Sequence, residues 1–238
     1  MKPGSLIVAG VLAAVSLGSA AHAERWDYRV TPYIWGPDLE TSLNIGPNPP
    51  VNGSTSIFDI LDGAFLIAGE ARKGRWSIGG EFNYLNLGDD VAVAGFDNFA
   101  SWDLKGTMAT LGAAYAFYDY GNTRIEALAA VRNWDLDIET TVAGRTASAD
   151  VNWTDPLIGA RYSQRINDRL RVTGMANIGG FDVGSHFQWE ALAELNWAWT
   201  DRVDLAGGYR HLKVDFERGS DVVDLTLTGP YVAVAFKF

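Results

Sequence analysis

The sequence predicts an all-β protein: a closed antiparallel up-and-down transmembrane β-barrel of about ten strands. Three observations predict it. The first segment has the character of an export signal, apolar and polar residues alternate with a period of two along most of the chain, and aromatic residues flank the apolar faces. With 26 Gly and 9 Trp among 238 residues, the composition is typical of strands and turns rather than of helices.

Composition and charge exclude several classes of protein. Hydrophobic residues make up 47% of the chain and charged residues 20%, which excludes a disordered chain. The formal net charge of −10 would repel a phosphate backbone, so we expect no nucleic-acid partner. The chain has no cysteine, hence no disulfide or thiolate metal site. The sequence predicts no cofactor and no metal site.

Residues 1–23 are predicted to be a cleaved signal peptide. Lys2 gives a basic start, the run from Leu6 to Leu17 is apolar, and Ala21-His22-Ala23 resembles a cleavage site. A transmembrane helix is the alternative, against which the small residues at the end of the segment argue. We expect residues 24–238 to form one barrel domain, because no later stretch reaches the ~18 apolar residues of a spanning helix.

The segment 186–199 shows the alternation best. Its odd positions carry Phe, Trp, Ala, Ala, Leu, Trp and Trp, whereas its even positions include Gln188, Glu190, Glu194 and Asn196. Aromatic residues at both tips of an apolar face are typical of the two girdles of a membrane barrel. The predicted girdle residues are Trp26, Trp76, Phe187, Trp189, Trp197, Trp199, Phe236 and Phe238. A soluble lipocalin-like barrel, with the opposite facing, is the alternative fold.

Turn signals divide the chain into about ten strands. Tight turns at 72–75, 119–122, 167–169 and 200–202 alternate with connections that we expect to be longer external loops, at 46–60, 88–100, 140–152 and 217–221. An eight-stranded barrel is the alternative if the edge segments pair differently.

Two segments repeat one pattern. VRNWDLDIE at 131–139 and YRHLKVDFE at 209–217 share an Arg, an Asp and a Glu at one offset, and the apolar phase shifts just after the Arg in both. We interpret them as outward-running strands at which either a β-bulge or the end of lipid contact resets the pattern.

Charged residues of both signs lie on the predicted lumen face. We expect them to form ion pairs that close the interior, because an unpaired charge in a partly dehydrated cavity is costly. The alternative is a narrow small-solute channel that these residues line. The predicted network comprises Glu70, Arg72, Glu81, Arg124, Glu126, Arg132, Arg161, Glu190, Glu194 and Arg210.

A lipid-modifying hydrolase is a third hypothesis. Ser185, His186 and Glu190 supply the residue types of a Ser/His/acid site, but neighbours on a strand point to opposite faces, so a bent turn would have to bring them together. The sequence therefore predicts no catalytic residues and no enzyme. Loop aspartates lack calcium-loop spacing; bridging by divalent ions to lipopolysaccharide is their alternative role.

The last strand ends VAVAFKF, with its final aromatic at Phe238. Such an ending resembles the signal read by the barrel-insertion machinery of outer membranes. Together with WTDPLIGARY (153–162), IGGFDVGSHFQW (178–189), GGYRHLKVDF (207–216) and GPYVAVAFKF (229–238), the chain resembles uncharacterised proteobacterial outer-membrane barrels in the style of opacity-type and OmpA-like surface proteins. The resemblance implies an outer-membrane location, with membrane lipid and lipopolysaccharide as partners, and supplies no catalytic residues.

Overall fold

The computed structural model describes residues 25–44, 51–56, 61–93, 96–142, 145–218 and 221–238. The predicted signal peptide lies outside the described residues. None of the described residues forms a helix long and apolar enough to cross a membrane.

The described residues form antiparallel strands. Their bounds are β1 Asp27–Trp35, β2 Asp38–Asn44, β3 Val51–Ser56, β4 Leu61–Lys73, β5 Trp76–Val93, β6 Phe96–Tyr120, β7 Thr123–Val142, β8 Arg145–Arg165, β9 Leu170–Gly180, β10 Phe187–Ala198, β11 Val203–Arg218 and β12 Asp221–Lys237.

These strands make one closed sheet. Each strand from β4 to β12 pairs with the next, β4 pairs with β1, and β1 pairs with β12 to close the ring. β1 and β2 keep a single register along β12, with Trp35 opposite Tyr231 and Asp38 opposite Thr228, so they form one wall strand broken at Pro37, which has no N–H to donate. The wall therefore has ten strands, as predicted, and the eight-stranded alternative is wrong. β3 is an additional strand that pairs with β2.

Four tight turns lie at one end of the barrel, which we call the turn end. They are at 74–75, 121–122, 166–169 and 199–202, as the sequence predicts, and the first and last described residues lie beside them. At the opposite end, the far end, the prediction of long loops at 88–100 and 140–152 was wrong, whereas parts of the predicted loops 46–60 and 217–221 lie outside the described residues. Strands continue through most of 88–100 and 140–152, and β6 alone has 25 residues.

In the turn-end half of the barrel, apolar side chains face outward. On β7, Ile125 and Val131 are on the outer face, while Glu126 and Arg132 are buried inside. The same facing holds on β10, where Gln188, Glu190 and Asn196 are buried. This facing is opposite to that of a lipocalin-like barrel, so the predicted membrane-type facing is confirmed here.

In the far-end half, the facing is reversed. On β7 the inward positions after Arg132 are Trp134 and Leu136, both buried, and the outward positions include Asp135 and Asp137. The ladders of β7 run without a register shift through this point, so the phase change is not a bulge. The wall simply exchanges its apolar outside for an apolar inside, and we call this level the polarity reversal.

On the far-end side of the polarity reversal, the interior is filled by an apolar core, which we call the plug. Its largest members include the stacked rings of Trp134, Trp153 and Phe216, with centroids 5.6 Å and 4.3 Å apart. Its other buried members include Leu39, Leu66, Leu87, Met108, Leu136, Val151, Leu212, Val214, Val223, Leu225 and Leu227. The inward apolar residues explain why the far-end segments remain strands, because burying them stabilises the wall.

Candidate functional site

The lumen of the turn-end half contains the charged residues of the predicted network. Nine of the ten form ion pairs, and these pairs make two clusters at different heights. Each cluster contains ion pairs between strands that are not neighbours in the wall: Arg161–Glu70 in one, and Arg132–Glu190 and Arg210–Glu81 in the other. Both clusters therefore cross the lumen.

The upper cluster lies at the polarity reversal and is centred on Glu190. Arg132 donates through Nη2 to Glu190 Oε2 at 2.6 Å, and Arg210 Nε lies 2.8 Å from Glu190 Oε1. Arg210 also donates from both terminal nitrogens to Glu81, at 2.6 Å and 3.1 Å. Arg132, Glu190 and Arg210 are at most 3% exposed. Their charges are therefore paired and held in fixed geometry, as buried ions require.

The lower cluster is centred on Glu126. Arg161 donates to Glu126 Oε2 at 2.6 Å and also to Glu70, which accepts from Arg72 at 2.7 Å. Arg124 donates to Glu126 Oε1 at 3.0 Å. One chain of alternating charge thus links strands β4, β7 and β8 across the lumen.

Glu194, the tenth residue, belongs to neither cluster. Its carboxylate accepts hydrogen bonds from Tyr231 Oη at 2.8 Å and Asn196 Nδ2 at 2.5 Å. Its hydrogen-bond donors are therefore neutral groups and not an arginine. Strand parity alone could not distinguish these two kinds of partner.

A third polar group, absent from the predicted network, continues from the Glu190 cluster to the β9–β10 connection. Gln188 accepts from Arg132 at 3.2 Å and donates to Asp155 at 2.5 Å. Asp155 also accepts from the Ser185 N–H at 2.6 Å and from the Ser185 hydroxyl at 2.9 Å. The only sign of this polar group in the sequence was that Asp155 stands at an inward-facing position of its strand. The connection is thereby fixed to the wall by a buried carboxylate.

The hydrolase residues do not come together. Ser185 is buried against Asp155, whereas His186 is exposed and its Nδ1 lies 2.5 Å from Asp182 Oδ1. The hydrogen bond to Asp182 raises the pKa of the His186 imidazole. Because Glu190 already binds two arginines, the Ser185, His186 and Glu190 hypothesis is wrong.

The residues of the predicted girdles lie on the outer face at two levels. Trp26, Trp76, Trp197, Trp199, Phe236 and Phe238 are exposed around the turn end. Phe187 and Trp189 lie near the polarity reversal, where the Trp189 ring packs on His211 with centroids 4.3 Å apart and the ring planes tilted by 33°. Trp197 lies eight positions after Trp189, about 26 Å along an extended strand. A strand tilt of about 40° reduces this to about 20 Å along the membrane normal, which fits within the ~25 Å apolar band of outer-membrane barrels.

Two cavities that share lining residues occupy the turn-end half. An inner cavity of about 330 Å³ reaches from the Glu190 cluster down to Arg171, and a mouth cavity of about 770 Å³ opens at the turn end. Arg29, Glu70, Arg72 and Arg171 line both. The plug contains a void of only about 50 Å³. The lumen is therefore open toward the turn end and filled toward the far end.

Comparisons with known proteins agree with this fold. No family model and no curated protein matches the chain. Among solved structures, the outer membrane protease OmpT from Escherichia coli is similar with a TM-score of 0.54 at 10% identity, over 93% of this chain and 99% of that chain. Ail, the attachment invasion locus protein of Yersinia pestis, has a TM-score of 0.40 at 10% identity, over 90% of this chain and 99% of that one.

The likeness to OmpT shows a shared fold and nothing about activity. The β-barrel fold implied by the sequence resemblance is thus confirmed. The assignment to opacity-type or OmpA-like proteins of proteobacteria stays a prediction, because no sequence relative supports it.

Proposed function

We propose that the chain is an outer-membrane β-barrel with a closed lumen, acting as a structural or surface-exposed protein of the cell envelope. The polarity reversal is the observation that carries the proposal. An apolar outer wall suits the hydrocarbon of a bilayer, and a polar outer wall around an apolar core suits water. One continuous wall with both halves fits a protein that is inserted in a membrane and projects from it.

The closed lumen argues for a structural role over the channel alternative. The Glu190 cluster crosses the interior at the reversal, and the plug fills the space beyond it. A permeating ion would have to give up water among the packed apolar rings of Trp134, Trp153 and Phe216, which is costly. We therefore expect this barrel to conduct rarely or not at all.

The partners follow from the same surfaces. The outward apolar band would contact membrane lipid, and the polar outer wall beyond it would lie at the level of lipopolysaccharide. Phe238 is 77% exposed at the end of β12, a strand held by neighbours on both sides. An accessible terminal aromatic is suited to recognition by the barrel-insertion machinery.

Cell fractionation and gel mobility test the location and the closed barrel. The expected result is recovery in the outer membrane and a shift in mobility between boiled and unboiled samples. A soluble periplasmic protein with no shift would overturn the proposal.

Cysteine labelling tests the placement of the two ends, because the native chain has no cysteine to interfere. Asp135 is exposed on the far-end outer wall and Asn122 lies in a turn at the other end. A membrane-impermeant maleimide should label Asp135→Cys on intact cells, and Asn122→Cys after the outer membrane is permeabilised. Labelling of Asn122→Cys alone on intact cells would contradict a surface-exposed far end.

Planar-bilayer recording separates the closed barrel from a channel. The native protein should show rare, small openings. The double variant Trp153→Ala, Phe216→Ala, which removes two stacked rings of the plug, should open more often, whereas the lipid-face variant Ile158→Ala should behave as the native protein does. Steady conductance of the native protein would favour the channel and overturn the closed barrel.

A further inference from the structure

We propose that the mouth of the barrel at the turn end binds a small anion carrying a phosphate or carboxylate group, with the guanidinium of Arg171 as its anchoring contact. This site goes beyond a structural role, because it gives the open half of the lumen a ligand. It does not require transport, since the plug closes the other half.

The first argument is an excess of cations around the mouth cavity, which is lined by five basic and three acidic side chains. Three inward carboxylates are each shared by two cations. Glu70 binds Arg72 and Arg161, Glu126 binds Arg124 and Arg161, and Asp204 lies 2.7 Å from Lys237 and 3.7 Å from Arg29. None of these three carboxylates forms an ion pair with Arg171. The excess is notable in a chain whose formal net charge is −10.

The second argument is Arg171 itself. Its guanidinium is half-buried near the start of β9 and has no ion pair or side-chain hydrogen bond to any part of the chain that the structure describes. The residue opposite it on β8 is another arginine, Arg165. A partly buried charge without a partner is costly, and an anion from solution is the kind of ligand that would remove that cost.

The third argument is space and access. Arg171 lines the inner cavity, the mouth cavity and two side pockets of about 150 Å³ and 230 Å³. The volume of the mouth lies within the range of small-molecule sites. Farther in, Arg161 Nη2 is a buried donor without a hydrogen-bond partner and lines the inner cavity.

The chemistry of these groups selects the ligand. A planar guanidinium donates two parallel hydrogen bonds to a phosphate or carboxylate, which makes it a better anchor for such groups than for chloride. The inner cavity is also lined by apolar residues, including Leu128, Leu157 and Leu192. A small organic acid or phosphate ester with a short apolar part fits this combination.

The test uses the purified, folded barrel in a neutral detergent. Inorganic phosphate and succinate are titrated separately at constant ionic strength, balanced with sodium chloride, and the heat of binding and the unfolding temperature are recorded. We expect saturable binding of at least one of the two anions by the native protein. Arg171→Gln should bind about tenfold more weakly or worse, because it removes a charge-assisted pair of hydrogen bonds.

Two further variants make the result specific. Arg75 lies in a turn at the same end but lines none of the four cavities. The variant Arg75→Gln, which removes this charge, should therefore bind the anions as the native protein does. Arg171→Lys keeps the charge without the planar fork and should bind at an intermediate strength. No saturable binding of either anion by the native protein, or an equal loss in Arg75→Gln, would overturn the site. The heat-dependent gel shift should persist in Arg171→Gln, which separates loss of binding from loss of the barrel.

Discussion

Arg132 of β7 and Arg210 of β11 meet on the two oxygens of one carboxylate, Glu190, at 2.6 Å and 2.8 Å. Each arginine is the last inward polar residue before an apolar run, which begins with Trp134 on β7 and Leu212 on β11. The two similar sequence segments therefore have one structural meaning: both strands cross the polarity reversal at the same ion cluster. The arginine at the equivalent position of each segment, Arg132 or Arg210, marks the level at which the lumen changes from charged to apolar.

Glu190→Gln should lower the free energy of unfolding by about 3 kcal/mol or more, because it leaves Arg132 without its carboxylate in a buried site. Urea unfolding followed by tryptophan fluorescence would measure this. Glu217→Gln, a change at an exposed carboxylate of the far-end wall, should stay within about 0.5 kcal/mol of the native protein. Equal effects of the two changes would contradict the importance of the buried cluster.

Phe216→Ala should destabilise the barrel by about 3–5 kcal/mol, because it opens a cavity beside Trp153 in the plug. Phe216→Leu keeps most of the volume and should cost less than about 1.5 kcal/mol. The same unfolding experiment applies. A small effect of Phe216→Ala would mean that the plug does not hold the far-end wall together.

Gly159→Ala should destabilise the barrel by about 1–3 kcal/mol, because a Cβ there would meet the backbone of β9, with Asn177 Cα at 2.8 Å. Gly174 on β9 is the matched control, since its nearest neighbour would be the Leu192 carbonyl oxygen at 4.0 Å. Thermal unfolding of the two alanine variants would compare them, and equal unfolding temperatures would contradict this close approach of the strands.

His186 should titrate above the ordinary histidine pKa of 6.5, because Asp182 accepts a hydrogen bond from the charged imidazole. The pair stabilises the folded state below pH 6.5, and this contribution is lost as the pH rises through the raised pKa. NMR titration of the His186 ring would measure the shift. Asp182→Asn should lower the pKa; asparagine tolerates the positive φ of 61° found there. An unchanged pKa in that variant would exclude Asp182 as the cause.

Phe238→Ala should reduce the amount of barrel that reaches the outer membrane while leaving the fold of the purified, refolded protein intact. Fractionation of cells and the gel-mobility shift measure the two effects separately. Val183, which is 70% exposed in the β9–β10 connection, provides a control. A similar loss in Val183→Ala would assign the effect to lost apolar surface rather than to the terminal aromatic.

The sequence predicted the features that depend on a period of two. The ten-stranded wall, the four tight turns and the facing of the turn-end half follow from alternation and turn residues, which are local. The plug was missed for a physical reason: Trp134 and Leu212 stand at inward positions, and an apolar inward residue looks like a loss of phase when the outside is assumed to be apolar. The long far-end strands were missed with it, because the same residues hold them in the wall.

The partners within the lumen could be predicted less well. Parity placed Arg132, Glu190 and Arg210 inside, but which carboxylate meets which arginine depends on distances across the barrel. Glu194, which binds neutral donors, and Arg171, which has no counter-ion in the described structure, have the same parity signal as the paired residues. Strand parity gives the face of a residue and not its neighbour across the lumen.

The reversal on one continuous wall has a consequence for how the molecule could change over time. The far-end half obeys the packing rules of a water-soluble barrel, so its outer residues can be replaced freely as long as the plug is kept. The turn-end half obeys the opposite rule and contains the charged clusters. Vertical displacement in a bilayer would carry carboxylates such as Asp135 and Asp137 into hydrocarbon, which fixes the depth of insertion. We therefore expect the outer residues of the far-end half to tolerate more substitutions than the lumen residues of the turn-end half.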